Sequence, residues 1–270
     1  MTAVAASASG PAQLVEGRAR SLVVAVVMPL MYLLFGITWM GFVPLMPEVL
    51  TSTGSKPADA ALLVTIISMA KSIVPILAGI VAARLGLSST LRIAGVLILV
   101  GGIAPWLHDY AAVVAVRFLF GVGGAVWVTL MGPVVLAALS PTARPVANAV
   151  NGVAVNSGVV IAFAVMLPLS KIIGFQAALS VASLVAALCL GALTFVGKIG
   201  DAVPPAAIGR TLKAYGQSLT VSTTWILAVA STGPLALYLV LNTFLGTHLL
   251  QSLGAGVDAA TARSTASHWR

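Results

Sequence analysis

Residues 111–139 read AAVVAVRFLFGVGGAVWVTLMGPVVLAAL, and this stretch decides the architecture. It carries one ionisable side chain, Arg117, in a run longer than the about 20 apolar residues that cross the hydrocarbon of a bilayer as a helix. A single span must satisfy its backbone N–H and C=O groups internally, so the run is helical. Working outward, similar runs lie at 91–107 and 146–169, then at 60–83 and 175–196, and finally at 22–46 and 223–250. Short connections carrying Pro, Gly, Ser and charge separate them. The run at 91–107 is the shortest. Seven spans are therefore expected, and the fold class is an all-α membrane protein.

Composition agrees. Of 270 residues, 60% are hydrophobic and 7% charged, against roughly 25% charged in a soluble domain. The chain lacks the polar surface a water-soluble globule needs. Its net charge of +8 comes from 14 Lys/Arg against 6 Asp/Glu. Those cations stand singly between apolar runs instead of on one polar face, which argues against nucleic acid as a partner. Cys189, the single cysteine, lies within an apolar run and supports neither a disulfide framework nor a thiolate metal cluster. The apolar run at 22–46 exceeds a signal-peptide core of about 7–15 residues and is read as a retained first span.

Short-loop cations set orientation, because Lys and Arg accumulate on the cytoplasmic side. With the N-terminus inside, that side holds Arg18, Arg20, Arg84, Arg92, Arg144, Lys198, Arg210 and Lys213, and the opposite loops before the tail hold Lys56 and Lys171. Glu48, Asp59, Asp109 and the interface aromatics Trp106 and Tyr110 fall outside. The expected organisation is a cytoplasmic tail (1–20), a six-helix bundle (21–197), a cytoplasmic central loop with Pro204 and Pro205 (198–222), a seventh span (223–250) and an outer tail (251–270). Beyond the loop the chain begins to repeat. Tyr32-Leu33-Leu34 and Met40-Gly41 match Tyr238-Leu239-Val240 and Leu245-Gly246, and Ala58-Asp59-Ala60-Ala61 matches Val257-Asp258-Ala259-Ala260. Such similarity between halves marks transporters built from repeats. On this reading the second bundle is cut off after its first helix, and an intact parent has about twice the half-length.

Placing a cation at the centre of a membrane helix costs about 2.5–3.5 kcal/mol, so such residues are candidates for function. Lys71 lies near the middle of 60–83. It is either a ligand or gating charge facing a polar cavity, or a structurally paired residue. Arg117 lies about one and a half turns into its span, where it either snorkels outward or turns inward. Gly121 and Gly124 follow on nearly the same face and allow a neighbouring helix to approach. The span at 146–169 carries Asn148, Asn151, Gly152, Asn156, Ser157 and Gly158, and each amide there needs a partner. Gly152 and Gly158 serve as packing positions and Asn156 as a solute ligand, or the whole run is glycine packing with amide cross-links. Tyr32 and Trp39 share a face of the first span with Gly36 between them, lining a cavity or packing. Pro44 and Pro47 end or kink that span near Glu48.

Arg117 followed by Gly121 and Gly123 resembles the fourth-span motif of the major facilitator superfamily. The junction after the second span resembles that family's loop signature, with Gly79, Arg84, Gly86 and Arg92 at or near the expected places. Ala83 stands where the signature has an acid, and Leu87 and Ser88 where it has bases. The family's antiporter Gly-Pro pair is absent from the fifth span and occurs in the fourth as Gly132-Pro133. The run Gly152-x-x-x-Asn156-x-Gly158 is similar to the fifth span of the nitrate/nitrite porter branch, and a cyanate porter is a related possibility. The resemblance implies a six-helix N-terminal bundle plus the first helix of a second bundle, and secondary transport by alternating access across the plasma membrane.

Lys71, Arg117, Asn156 and Tyr32 are then the candidate substrate-binding residues, and Gly79, Arg84, Gly86 and Arg92 the candidate gating residues. None of the spans holds an acid in its core, so an anion or polar organic solute is favoured over a drug cation. The implied partners are that small-molecule substrate, the lipid bilayer and a coupling ion, either a proton or an exchanged anion. His108, His248 and His268 are scattered, no phosphate-binding Gly-x-x-x-x-Gly-Lys-Ser/Thr occurs, and no cofactor, metal or catalytic residue is expected. The competing readings are a membrane-embedded subunit or inactive fragment without transport of its own, and drug or metabolite efflux.

Overall fold

The computed structural model describes residues 11–195, 216–230, 232–233, 236–237 and 240–241. Among the described residues there is no strand. The helices are α1 (Pro11–Met40), the short α2 (Met46–Ser52), α3 (Ala60–Leu85), α4 (Leu87–Val100), α5 (Tyr110–Ala138), α6 (Arg144–Ile173) and α7 (Phe175–Phe195). Six stretches among them are long and apolar enough to cross a membrane: Arg20–Met40, Pro57–Leu85, Leu87–Trp106, Tyr110–Ala138, Arg144–Ile173 and Phe175–Thr194. These are the first six expected spans. Of the seventh, residues 223–230 are helical and exposed, and most of the remainder lies outside the described residues, as do most of the central loop and the tail at 251–270.

Boundaries differ from the sequence expectation where proline or glycine acts locally. Helix α1 starts at Pro11, ahead of its membrane-capable stretch, which starts at Arg20. It stops at Met40, short of 46, because Pro44 has no N–H to give the Met40 carbonyl. That carbonyl accepts from the Val43 N–H instead, at 3.0 Å. Pro47 then sits in the first turn of α2, where its missing N–H is harmless. Helix α4 begins at Leu87 and tightens after Val100 into a 3₁₀ segment, Gly101–Trp106. The connection between α3 and α4 is Gly86 alone, with φ +81°. Glycine tolerates that conformation because it has no Cβ.

Packing follows an internal two-fold pattern. Helix α1 packs most extensively on α6 and then on α7, whereas α5 packs most extensively on α3 and then on α4. Exchanging α1 with α5, α3 with α6 and α4 with α7 maps one set of contacts onto the other. The junctions obey the same exchange, since α6 and α7 meet at Gly174, φ +84°, as α3 and α4 meet at Gly86. The bundle is thus two three-helix units that interlock through their first helices.

The glycines of α5 explain how one helix serves as the hub. A Cβ on Gly121 would stand 3.0 Å from the Ile67 Cα of α3, one on Gly123 would stand 2.7 Å from the Ala94 carbonyl oxygen of α4, and one on Gly124 would fall inside the Phe35 ring of α1. Each missing side chain admits a different neighbour. Across the bundle, Gly158 of α6 lies against the Leu33 carbonyl of α1, and Gly36 of α1 against the Val155 carbonyl of α6. The outward rows remain apolar, as on α3 with Leu62, Met69, Ile73, Ile76 and Leu77, which suits a helix facing lipid.

Candidate functional site

Lys71 projects from α3 toward α1. Its Nζ lies 4.3 Å from the ring centroid of Trp39, 5.3 Å from that of Phe35 and 5.7 Å from that of Tyr32. The i, i+3, i+7 spacing of these aromatics puts all three on one face of α1. They are braced by each other and by α5, with Tyr32 and Phe35 stacked at 5.9 Å and Phe35 and Phe120 at 4.6 Å. Among the described residues the ammonium has these ring faces as its partners and neither a carboxylate nor a hydrogen-bond acceptor. A desolvated cation over aromatic rings gains about 2 kcal/mol, less than the insertion cost of about 2.5–3.5 kcal/mol. One turn onward, Pro75 deprives the Lys71 carbonyl of its helical N–H partner, so α3 is weakest where it carries its charge.

Lys71 is half-buried, and Arg117 is a fully buried cation at 1% exposure. Its Nε donates to the Leu63 carbonyl of α3, its Nη2 donates to the Trp39 carbonyl of α1 at 3.0 Å, and its guanidinium stacks 3.8 Å from the Phe42 ring centroid. Trp39 is the penultimate residue of α1, where carbonyls lack intrahelical partners and the helix dipole is negative. Arg117 therefore caps α1 and stitches it to α3 and α5. It does not snorkel outward. Trp39 is held by both cations, its ring by Lys71 and its carbonyl by Arg117. Its own Nε1–H, on a side chain 4% exposed, has no hydrogen-bond partner.

The remaining sequence candidates separate. Tyr32 belongs to the Lys71 site. Asn156 does not join it by any hydrogen bond: Asn148, Gly152 and Asn156 stand one turn apart on the open side of α6, while Asn151 is buried with its Oδ1 unpaired. Gly121, Gly124 and Gly158 lie at close helix crossings. Gly152 does not, and a Cβ there would meet nothing within 4 Å; Gly36 of α1 supplies the reciprocal approach instead. The candidate gating residues lie around a one-residue turn. Since Gly86 alone turns the chain, Gly79 and Arg84 lie within α3 and Arg92 within α4. Phe35 escaped the sequence reading although its place three residues after Tyr32 signalled a shared face. Among the described residues no three of His, Cys, Asp and Glu gather as a metal site.

Six membrane-capable helices, interlocked as two three-helix units, define a polytopic helical membrane protein. The chain belongs to the Major Facilitator Superfamily, whose family model matches residues 29–267. It is similar in fold to a D-xylose-proton symporter, with TM-score 0.61 and 18% identity over 90% of this chain and 65% of that one. It is also similar to the peptide transporter POT solved in complex with sulfate, with TM-score 0.57 and 18% identity over 84% of this chain and 49% of that one. The chain thus spans 65% and 49% of the lengths of these two structures. No curated protein matches it.

Proposed function

We propose that this chain forms the first bundle of a secondary transporter that works by alternating access, and that its solute is a small anion or an acid-bearing polar organic molecule held at Lys71. The observation that carries this reading is an ammonium near the middle of a membrane helix whose partners, among the described residues, are three aromatic faces and no carboxylate. Ring faces compensate part of the desolvation of a lysine and leave its three N–H groups without acceptors. An anion supplies the acceptors. A cationic drug would meet like charge there, which disfavours efflux of that class.

Tyr32 shapes the site, Arg117 holds α1 and α3 in register around it, and Asn156 belongs to a polar stripe along the pathway. Gly86 is the α3–α4 elbow, and Gly79, Arg84 and Arg92 lie on the flanking helices that turn as the bundle rocks. The solute pathway is completed by a second bundle, whose first helix is 223–250. The loop cations support a plasma-membrane orientation with a cytoplasmic N-terminus. Coupling to a proton or an exchanged anion supplies the driving force.

The test is anion uptake into proteoliposomes by the complete two-bundle protein, comparing the natural sequence with Lys71→Gln and Lys71→Arg. Loss of uptake by at least about 30-fold in Lys71→Gln, with partial retention in Lys71→Arg, is the expected result. Unaltered anion uptake by Lys71→Gln would sink the proposal.

A further inference from the structure

We infer that Trp39 is a second donor at the Lys71 site and that the two residues together select a polyatomic anion with at least two acceptor oxygens, such as a carboxylate or a comparable oxyanion, over a monatomic anion. This rests on the proposed anion site at Lys71 and assigns its specificity.

A half-buried ammonium with no hydrogen-bond acceptor and a fully buried, unpaired indole N–H lie side by side. The Lys71 ammonium stands 4.3 Å over the Trp39 ring, and the Nε1–H of that same ring is buried without a partner. Buried N–H groups are rarely left unpaired, and the backbone carbonyl of the same residue accepts from Arg117. The indole packs against Phe35 and the Lys71 ammonium with its one polar group unused.

The directions of the two donors set the shape of the ligand. An indole N–H points outward in the plane of its ring, whereas the ammonium lies over the ring face. An atom accepting from Nε1 sits about 2.9 Å beyond the ring edge, which leaves it roughly 6 Å from an ammonium over the centroid. One halide ion cannot accept from both. Two oxygens of one ion, about 2.2 Å apart, span much of that gap, and the flexible lysine stem closes the rest while its ammonium exchanges ring faces for an oxygen. The site therefore rewards a two-oxygen acceptor. The aromatic faces hold the lysine in place when the ligand is absent.

The experiment is equilibrium binding of radiolabelled formate to the full chain in lipid nanodiscs, with nitrate and bromide as competitors. Four forms are compared: the natural sequence, Trp39→Phe, replacement of Trp39 by its benzothiophene isostere, and Lys71→Gln. The isostere keeps the shape of the ring and removes only the N–H, so it decides the matter if Trp39→Phe folds poorly. The expected result is that both changes at Trp39 weaken formate and nitrate about 10-fold or more and leave bromide unchanged, erasing the preference for oxyanions. Lys71→Gln removes binding of all three. Full oxyanion preference in the isostere overturns the role of Trp39 while leaving the Lys71 site standing. Undiminished formate binding by Lys71→Gln overturns the anion site itself, and so does a natural chain that binds none of the three ions. A natural chain that binds bromide as tightly as formate overturns the specificity claim.

Discussion

Adding one methyl group to α6 at two positions six residues apart should have opposite effects. At Gly158 a Cβ lands on the Leu33 carbonyl of α1 and within 3.1 Å of the Ile37 nitrogen, so the obstacle is backbone and no side-chain rotation relieves it. Overpacking costs about 1–3 kcal/mol when side chains give way. With backbone in the way the upper end applies, offset by the about 1 kcal/mol that Ala gains over Gly in a helix. The net loss is about 2 kcal/mol. At Gly152 the added Cβ meets nothing within 4 Å, so only the helix-propensity gain remains, about 0.5–1 kcal/mol of stabilisation. The two variants should differ by about 3 kcal/mol, roughly 150-fold in the unfolding equilibrium. Equilibrium unfolding of Gly152→Ala and Gly158→Ala in mixed dodecylmaltoside–SDS micelles, followed by tryptophan fluorescence, measures that difference. Equal stability of the two variants, or a greater loss at Gly152, would refute the assignment of the α1–α6 crossing.

Three further outcomes are expected. Arg117→Lys keeps the charge but cannot donate in two fixed directions, so it should lose about 2–4 kcal/mol in the same unfolding assay, with the carbonyls of Leu63 and Trp39 left under-satisfied. In a Cys189→Ser background, cysteines at Asn148, Gly152 and Asn156, exposed positions of the proposed polar pathway, should react with a membrane-impermeant thiosulfonate about 10-fold faster than cysteines at the exposed apolar positions Ile161 and Val165; equal rates would place the stripe against lipid. Gly86→Ala and Gly174→Ala should each cost about 1–2 kcal/mol by thermal unfolding, since both positions hold positive φ.

Span positions were legible in sequence because a run such as 111–139 carries its own length criterion. The lengths failed where one local group dominated. Pro44 cut α1 back to Met40, and Gly86 brought the start of α4 forward to Leu87. Lys71 was legible as a residue of interest because its burial is costly in any arrangement, but its partners were not. Trp39 and Phe35 meet it only through the contact of α3 with α1, which no spacing within either helix encodes. Arg117 shows the same limit. Its depth allowed snorkelling and its glycines argued for an inward turn, while the acceptors it found are backbone carbonyls, identical at every position of a sequence. The amides of α6 were read together, yet helical phase divides them: Asn151 turns inward, and Asn148 and Asn156 turn out.

The one-residue elbows at Gly86 and Gly174 also bear on how the chain enters the bilayer. No slack exists for α3 to cross and wait for α4, or for α6 to wait for α7, so each pair must enter the membrane as a hairpin. The polar load is uneven within the pairs. Helix α3 carries Lys71 and α6 carries its amides, whereas the membrane stretch of α7 has no charged residue and that of α4 has Arg92 alone. The apolar partner thus carries its costly sibling across during biogenesis, and lengthening either elbow would leave the polar helix to partition alone.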